Sequence, residues 1–242
     1  MDLSRSIEVF NPDVLDKEVH IIGVGATGSF VLQTLVRFGV KKINIWDFDK
    51  YEAHNVNNQA ITQSCCDKQK VEAQVELCKE INPEAEIIAH DQLVTPEDIK
   101  EMSGYVFLLV DSMKCRKELF EAIKENDKIL WYWESRLGSD QGRVYCMPVN
   151  KEFNYKPYEE LHFYSDDDAE VSACGTSITI VSIVLSVTAL MVNQFIKIVT
   201  DKLDVEPYIN NFTLFDNMYG VYTENFKTEA KAIQEVTDEI IF

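Results

Sequence analysis

Apolar and polar positions alternate in two different rhythms along the first half of the chain. Val19 to Val24 reads as a short buried strand, apolar apart from His20 and Gly23. Thr27 to Phe38 places Phe30, Val31, Leu35 and Phe38 at helical spacing, and Gly39 stops that helix. Lys42 to Trp46 reads as a second strand ending at Asp47. Lys68 to Ile81 is helical through Val71, Val75 and Cys78, with Pro83 behind it. Glu86 to Ala89 is a third strand, and Thr95 before Pro96 and Glu97 is a helix N-cap with proline at the first position. Tyr105 to Val110 is apolar and ends at Asp111, Met113 to Lys124 is helical, and Lys128 to Trp133 is another strand. Strands that alternate with helices predict an α/β fold with right-handed crossovers and a mainly parallel sheet covered on both faces.

The pattern then changes, and it predicts an antiparallel C-terminal portion that extends the sheet. Gln141 to Pro148 reads as a strand. Asn150 to Val171 has no clear period and is long for a loop, which points to a functional segment. Ile178 to Val199 carries one charge, Lys197, and is long enough to span a membrane. Ser182, Ser186, Thr188, Asn193 and Gln194 recur along it, and the chain before it is acidic rather than basic. The expectation is a helix in the core or at a subunit interface, with no membrane partner. Phe212 to Phe215 and Gly220 to Tyr222 read as a hairpin, and Ile233, Val236 and Ile240 line one face of a final helix. With no repeat and no low-complexity linker, the expectation is a single domain over 1–242. Its nucleotide-binding half is about 1–135, and a crossing loop, the long helix and the hairpin occupy about 136–242.

Charge narrows the function classes. The net charge is −18 and the pI about 4.6, which argues against broad binding to nucleic acid or anionic lipid. The six cysteines form no C-x-x-C pair, so a cysteine-only zinc site has no support, and their spacing is no disulfide framework. A reducing compartment is expected. The first residues hold no apolar signal core, and the cytoplasm is the expected location.

The chemistry starts at Gly23, Gly25 and Gly28, between the first strand and the first helix. Gly23 permits a tight turn, Gly25 removes a side chain where phosphates approach, and Gly28 allows close strand–helix packing. The helix N-terminus presents free N–H groups and partial positive charge. Asp47, at the end of the second strand, is placed to accept ribose hydroxyls. The same glycines also fit tight packing with no ligand, and the pattern by itself admits NAD, FAD or ATP. Lys70 opening the next helix suits a triphosphate. Asp111 ending the fourth strand suits Mg²⁺.

With these pieces in hand, the chain resembles the ThiF/MoeB/E1 adenylyltransferases, which activate ubiquitin-like proteins. The likeness runs over roughly Val19 to Val199. It rests on the glycine loop, D-F-D at Asp47 to Asp49, the Asn55 to Gln59 segment, Lys70 and Asp111. It implies a Rossmann-like sheet. It also implies ATP bound by Gly23, Gly25, Ala26, Thr27, Gly28, Asp47, Asp49, Asn55, Asn58, Gln59, Lys70 and Asp111, with Mg²⁺ on Asp111. The implied reaction joins the C-terminal carboxylate of a ubiquitin-like protein, a sulfur carrier or a peptide to AMP, in a homodimer. Catalytic roles fall to Asp111 and Lys70. Arg5 would reach across the dimer, Cys174 would form a thioester, and Arg136 would lie near the adenylate.

The sequence departs from the family pattern in three places. Asn58 stands where an arginine is usual, only the second aspartate of D-x-x-D-N is kept, as Asp111, and paired C-x-x-C motifs are absent. Alternatives therefore stay open: an inactive nucleotide-binding scaffold, or an NAD-dependent oxidoreductase. Cys174 precedes the long helix, where a thiol gains thiolate character, but it also fits a small buried contact.

Overall fold

The computed structural model describes residues 1–139, 141–163, 179–201, 211–216 and 220–225. In chain order these hold β1 (Val19–Ile22), α1 (Ala26–Arg37), β2 (Lys42–Trp46), α2 (Lys70–Ile81), β3 (Glu86–His90), α3 (Pro96–Glu101) and β4 (Gly104–Leu108). There follow α4 (Met113–Lys124), β5 (Ile129–Leu137), β6 (Gln141–Pro148), α5 (Lys156–His162), α6 (Val181–Val199), β7 (Asn211–Asp216) and β8 (Gly220–Asn225). One eight-stranded sheet runs in the order β3-β2-β1-β4-β5-β6-β7-β8. Pairings from β3 across to β5 are parallel, and those from β5 to β8 are antiparallel. The chain order reverses at β1, so the crevice beside the C-terminal ends of β1 and β4 is a topological switch point.

Each face of the sheet has its own core. On one face α1 and α6 bury Val31, Leu35, Val187, Met191 and Phe195 with Ile21, Ile43, Phe107 and Trp133. On the other, α3 and α4 bury Ile99, Leu119, Phe120 and Ile123 with Ile22, Val106, Leu108 and Tyr132. All four residues of β1 are therefore buried, His20 among them, which explains why the rest of the strand is apolar. α6 is long and apolar enough to span a membrane by composition, but its Ile183, Val184, Val187, Met191, Phe195 and Ile196 side chains are buried in the fold.

The α/β expectation and the hairpin stand. Several boundaries move, and a short helix is added. β1 ends at Ile22, because Gly23 already turns at φ 91°. β5 runs on to Leu137, past the end of the apolar pattern at Trp133, because its polar residues Glu134, Ser135 and Arg136 stay buried beside β6. The aperiodic stretch after Asn150 contains the short helix α5, started by Pro157 in its first turn. The final helix expected around Ile233, Val236 and Ile240 lies outside the described residues.

Candidate functional site

The glycine loop sits at the C-terminal end of β1. A Cβ on Gly23 would stand 2.8 Å from the Leu109 carbonyl oxygen, so the loop passes directly against the end of β4. A Cβ on Gly28 would stand only 1.9 Å from the Gly23 carbonyl, which no side chain can meet. These two glycines do packing work. Gly25 is different: nothing lies within 4 Å of its Cβ direction. It is the N-cap of α1 and supplies no side-chain cap, so no side chain of its own takes up the first N–H groups of α1. Ala26, Thr27 and Gly28 form that first turn, with Thr27 buried.

Three acidic or basic side chains frame this opening. Asp47 Oδ2 accepts from Val24 N at 2.9 Å and its Oδ1 from Asp49 N at 3.0 Å. Burial pushes the Asp47 carboxyl above its usual range, against the pull of Lys70, which lies 4.0 Å away, and of the two backbone donors. Lys70, the first residue of α2, is itself buried and donates to Asp49 Oδ2 at 3.0 Å. Asp49 is half exposed. The cation is thus held over Asp47 and Asp49 beside the α1 N-terminus. Asp111 is exposed just beyond the end of β4.

The segment after Asp49 docks onto α1 and α2 through residues that the sequence pattern did not single out. Tyr51 is fully buried, donates to the Val24 carbonyl at 2.9 Å and accepts from Gln74 Nε2 at 2.8 Å. Its phenol is pushed above the normal value by burial, so it stays protonated as a donor. Ser29 Oγ accepts from Ala60 N, and Gln33 Nε2 donates to Ala60 O. Their only sequence signal was a polar residue inside an otherwise apolar helix face. Asn55 orders this segment: its Oδ1 accepts from Glu52 N at 2.8 Å. Asn58 Nδ2 donates to Thr179 O at 3.2 Å, tying the segment to the chain just before α6. Asn58 Oδ1 and Gln59 Oε1 are buried with no hydrogen-bond partner among the described residues.

Two further residues named by the resemblance are Arg136 and Arg5. Arg136 is expected near the adenylate. It is buried, pairs with Glu134 through Nη1, and stands 5.4 Å over the Tyr145 ring. Burial works against its charge, and the attraction of Glu134 more than compensates. Arg116 joins the same buried cluster, as does Tyr132, which donates to Glu134 Oε2. Arg5 is exposed, and its neighbour Leu3 packs beside Gly39, at the end of α1 remote from the glycine loop. Within its own chain it does not join the site. Cys174 lies outside the described residues.

The pieces fit a magnesium nucleotide. The open α1 N-terminus at Gly25 suits phosphate oxygens, with Lys70 as the adjacent cation. No group of three His, Cys, Asp or Glu side chains able to hold a metal occurs among the described residues. Mg²⁺ does not require one, since it is held by one or two carboxylates together with substrate phosphates and water. Asp111, exposed beyond the end of β4, is a carboxylate that would serve it.

Comparison with known proteins bears on the same residues. The model of the ThiF family matches residues 4–236. A 142-residue stretch is 36% identical to Ubiquitin-like modifier-activating enzyme 5 of Drosophila persimilis, covering 52% of this chain and 36% of that protein. A 127-residue stretch is 31% identical to tRNA threonylcarbamoyladenosine dehydratase of Haemophilus influenzae, covering 49% of each. The matched stretches thus span half or less of these curated relatives. E. coli MccB, solved with AMPCPP and MccA, superposes with a TM-score of 0.70 at 16% identity, covering 89% of this chain and 65% of that one. MccB solved with ATP gives 0.67 at 16% identity, with the same coverage of both chains. At that identity the likeness is one of fold.

Proposed function

Because the chain belongs to the ThiF family, we propose that it is an ATP- and Mg²⁺-dependent adenylyltransferase that activates the C-terminal carboxylate of a small protein or peptide. The observation that carries this reading is the uncapped α1 N-terminus at Gly25, with Asp47 and Asp111 just beyond the C-terminal ends of β2 and β4 and Lys70 beside Asp47 and Asp49.

An ionised carboxylate is already a nucleophile and needs no general base. It needs alignment with the α-phosphorus and neutral surroundings for the charge that develops there. Its oxygen forms the new bond to phosphorus, the bond to the bridging oxygen breaks, and pyrophosphate leaves with the electron pair. The products are an acyl-adenylate and pyrophosphate. In this reading the α1 N–H groups and Lys70 take up charge on the phosphates. Asp47 receives the ribose, with both carboxylate oxygens pre-oriented by backbone donors. Mg²⁺, when bound, adds Lewis-acid neutralisation of the phosphates beside Asp111.

MccB was solved with MccA, and relatives of 36% identity are ubiquitin-like modifier-activating enzymes. These likenesses support a peptide or ubiquitin-like acceptor. Arg5 belongs to this reading only as a residue donated by a second copy of the chain, and Cys174 only as a thioester nucleophile after adenylation.

A scaffold without turnover is favoured by one observation: the Asn58 side chain is committed to Thr179 and brings no cation to the phosphates. ATP–pyrophosphate exchange separates the two. With Mg²⁺ and a panel of peptides and small proteins ending in free carboxylates, exchange is expected only with an acceptor, and Lys70→Ala and Asp111→Ala are expected to abolish it. ATP binding by calorimetry with no exchange across the panel would favour the scaffold.

A further inference from the structure

Three parts of the candidate site converge on Arg116. It lies in the first turn of α4, and its backbone N–H closes that turn on the Ser112 carbonyl at 3.0 Å. Ser112 caps the helix and directly follows Asp111. The Arg116 side chain leaves α4 for the end of β5, where Nη1 donates to the Ser135 carbonyl at 2.8 Å. The Ser135 hydroxyl in turn lies 3.5 Å from Thr27 Oγ1, in the first turn of α1. Glu134 Oε2 stands 3.6 Å from the same guanidinium nitrogen.

This is an expensive way to attach a helix to a sheet. Arg116 is 7% exposed, and its Nε finds no hydrogen-bond partner among the described residues. Arg136 adds a second buried guanidinium against the single carboxylate of Glu134. Apolar residues of similar volume hold such contacts at lower cost. What a guanidinium adds is direction, because its planar fork meets an acceptor at a fixed angle, which neither a lysine nor an aliphatic chain provides. The connection runs from the start of α4, which carries Asp111, to the start of α1, which carries the free N–H groups.

We propose that Arg116 is a positioning residue that sets the Asp111 carboxylate at a fixed separation from the α1 N-terminus, so that metal and phosphates are held as one unit. The inference rests on the adenylation reading and assigns a residue which that reading leaves unused. Arg116 touches neither metal nor phosphate. It acts through Ser112 and Ser135.

The test is calorimetric titration of ATP into the wild type, Arg116→Lys and Arg116→Met, each with Mg²⁺ and again with chelator. A fixed Asp111 makes Mg²⁺ strengthen ATP binding. Loss of a residue that orients a metal ligand costs about 10–100-fold in metal affinity. Both variants are therefore expected to lose most of the Mg²⁺ enhancement while keeping the wild-type affinity measured in chelator. Equal losses with and without Mg²⁺, or an unchanged enhancement, would overturn the proposal in favour of a packing role. Should the Arg116 variants fail to fold, Ser135→Ala tests the same link by removing only the hydroxyl that faces Thr27. It is expected to reduce the enhancement, and an unchanged one overturns the proposal. A wild type that binds ATP with no Mg²⁺ effect overturns this inference alone, while a wild type that binds no ATP overturns the adenylation reading with it.

Discussion

The Tyr51 hydroxyl donates to the Val24 carbonyl at 2.9 Å from a fully buried position, so the loop that bears the candidate nucleotide site is clamped by a residue outside it. Gln74 completes the arrangement by donating to the same oxygen. Tyr51→Phe leaves the Val24 carbonyl without its phenolic donor and Gln74 without that acceptor. A buried group deprived of its partner costs about 1–3 kcal/mol. The unfolding free energy from urea denaturation is expected to fall by that amount, as a lower midpoint at unchanged slope, and ATP affinity is expected to fall with it.

The three glycines separate by experiment. Gly28→Ala forces a methyl into the Gly23 carbonyl, and overpacking against backbone costs roughly 1–3 kcal/mol or more. Gly25→Ala meets nothing within 4 Å, so its thermal midpoint is expected to stay at the wild-type value. It is nevertheless expected to weaken ATP binding, because the methyl projects where the phosphates would lie. Equal ATP affinity in Gly25→Ala and wild type would show that the opening is not the phosphate site.

Glu134 stands buried between Arg116 and Arg136 and accepts from Tyr132. Glu134→Gln keeps the shape and removes the carboxylate that faces both guanidinium groups. Breaking a buried pair by deleting one partner costs roughly 3–5 kcal/mol. Chemical denaturation is expected to show a loss of that size, and a change below ~1 kcal/mol would mean that the two guanidinium groups are neutralised from elsewhere.

Acid is expected to destabilise the protein through His20. Burial lowers its folded value below 6.5, with Glu18 pulling the other way, and burial lowers His90 in the same direction. Just below 6.5 the unfolded chain then binds more protons than the folded one, so stability is complete above that value and falls as pH drops toward the folded value. Asp47, raised by burial, contributes with the opposite sign in the acid range just above an ordinary carboxylate's value. The thermal midpoint is expected to decline from neutral pH to about pH 5. In His20→Gln that decline should be shallower. An identical pH profile would remove His20 from the account.

Much of this molecule was legible from local pattern. β2, α4 and β6 begin and end where periodicity placed them, because each carries its own start and stop signals, such as Gly39 before β2 and Ser112 before α4. The parallel order of the first five strands followed from their alternation with helices. Gly23, Gly25, Gly28, Asp47, Lys70 and Asp111 stood out because each sits at the junction of two elements, where a polar or flexible residue interrupts an apolar run. What the pattern could not supply were relations between side chains distant in sequence. Tyr51 looked like a loop aromatic, and only the packing of α1 against α2 brings its hydroxyl to Val24. Arg136 was set near the adenylate by resemblance alone, with no hint of its partners, and Arg116 was passed over. Glu134, between them in space, makes their burial tolerable. Hydrophobic periodicity records which face of an element leaves water. It carries no record of which buried polar groups satisfy one another, because such pairings exist only once the chain has closed around them.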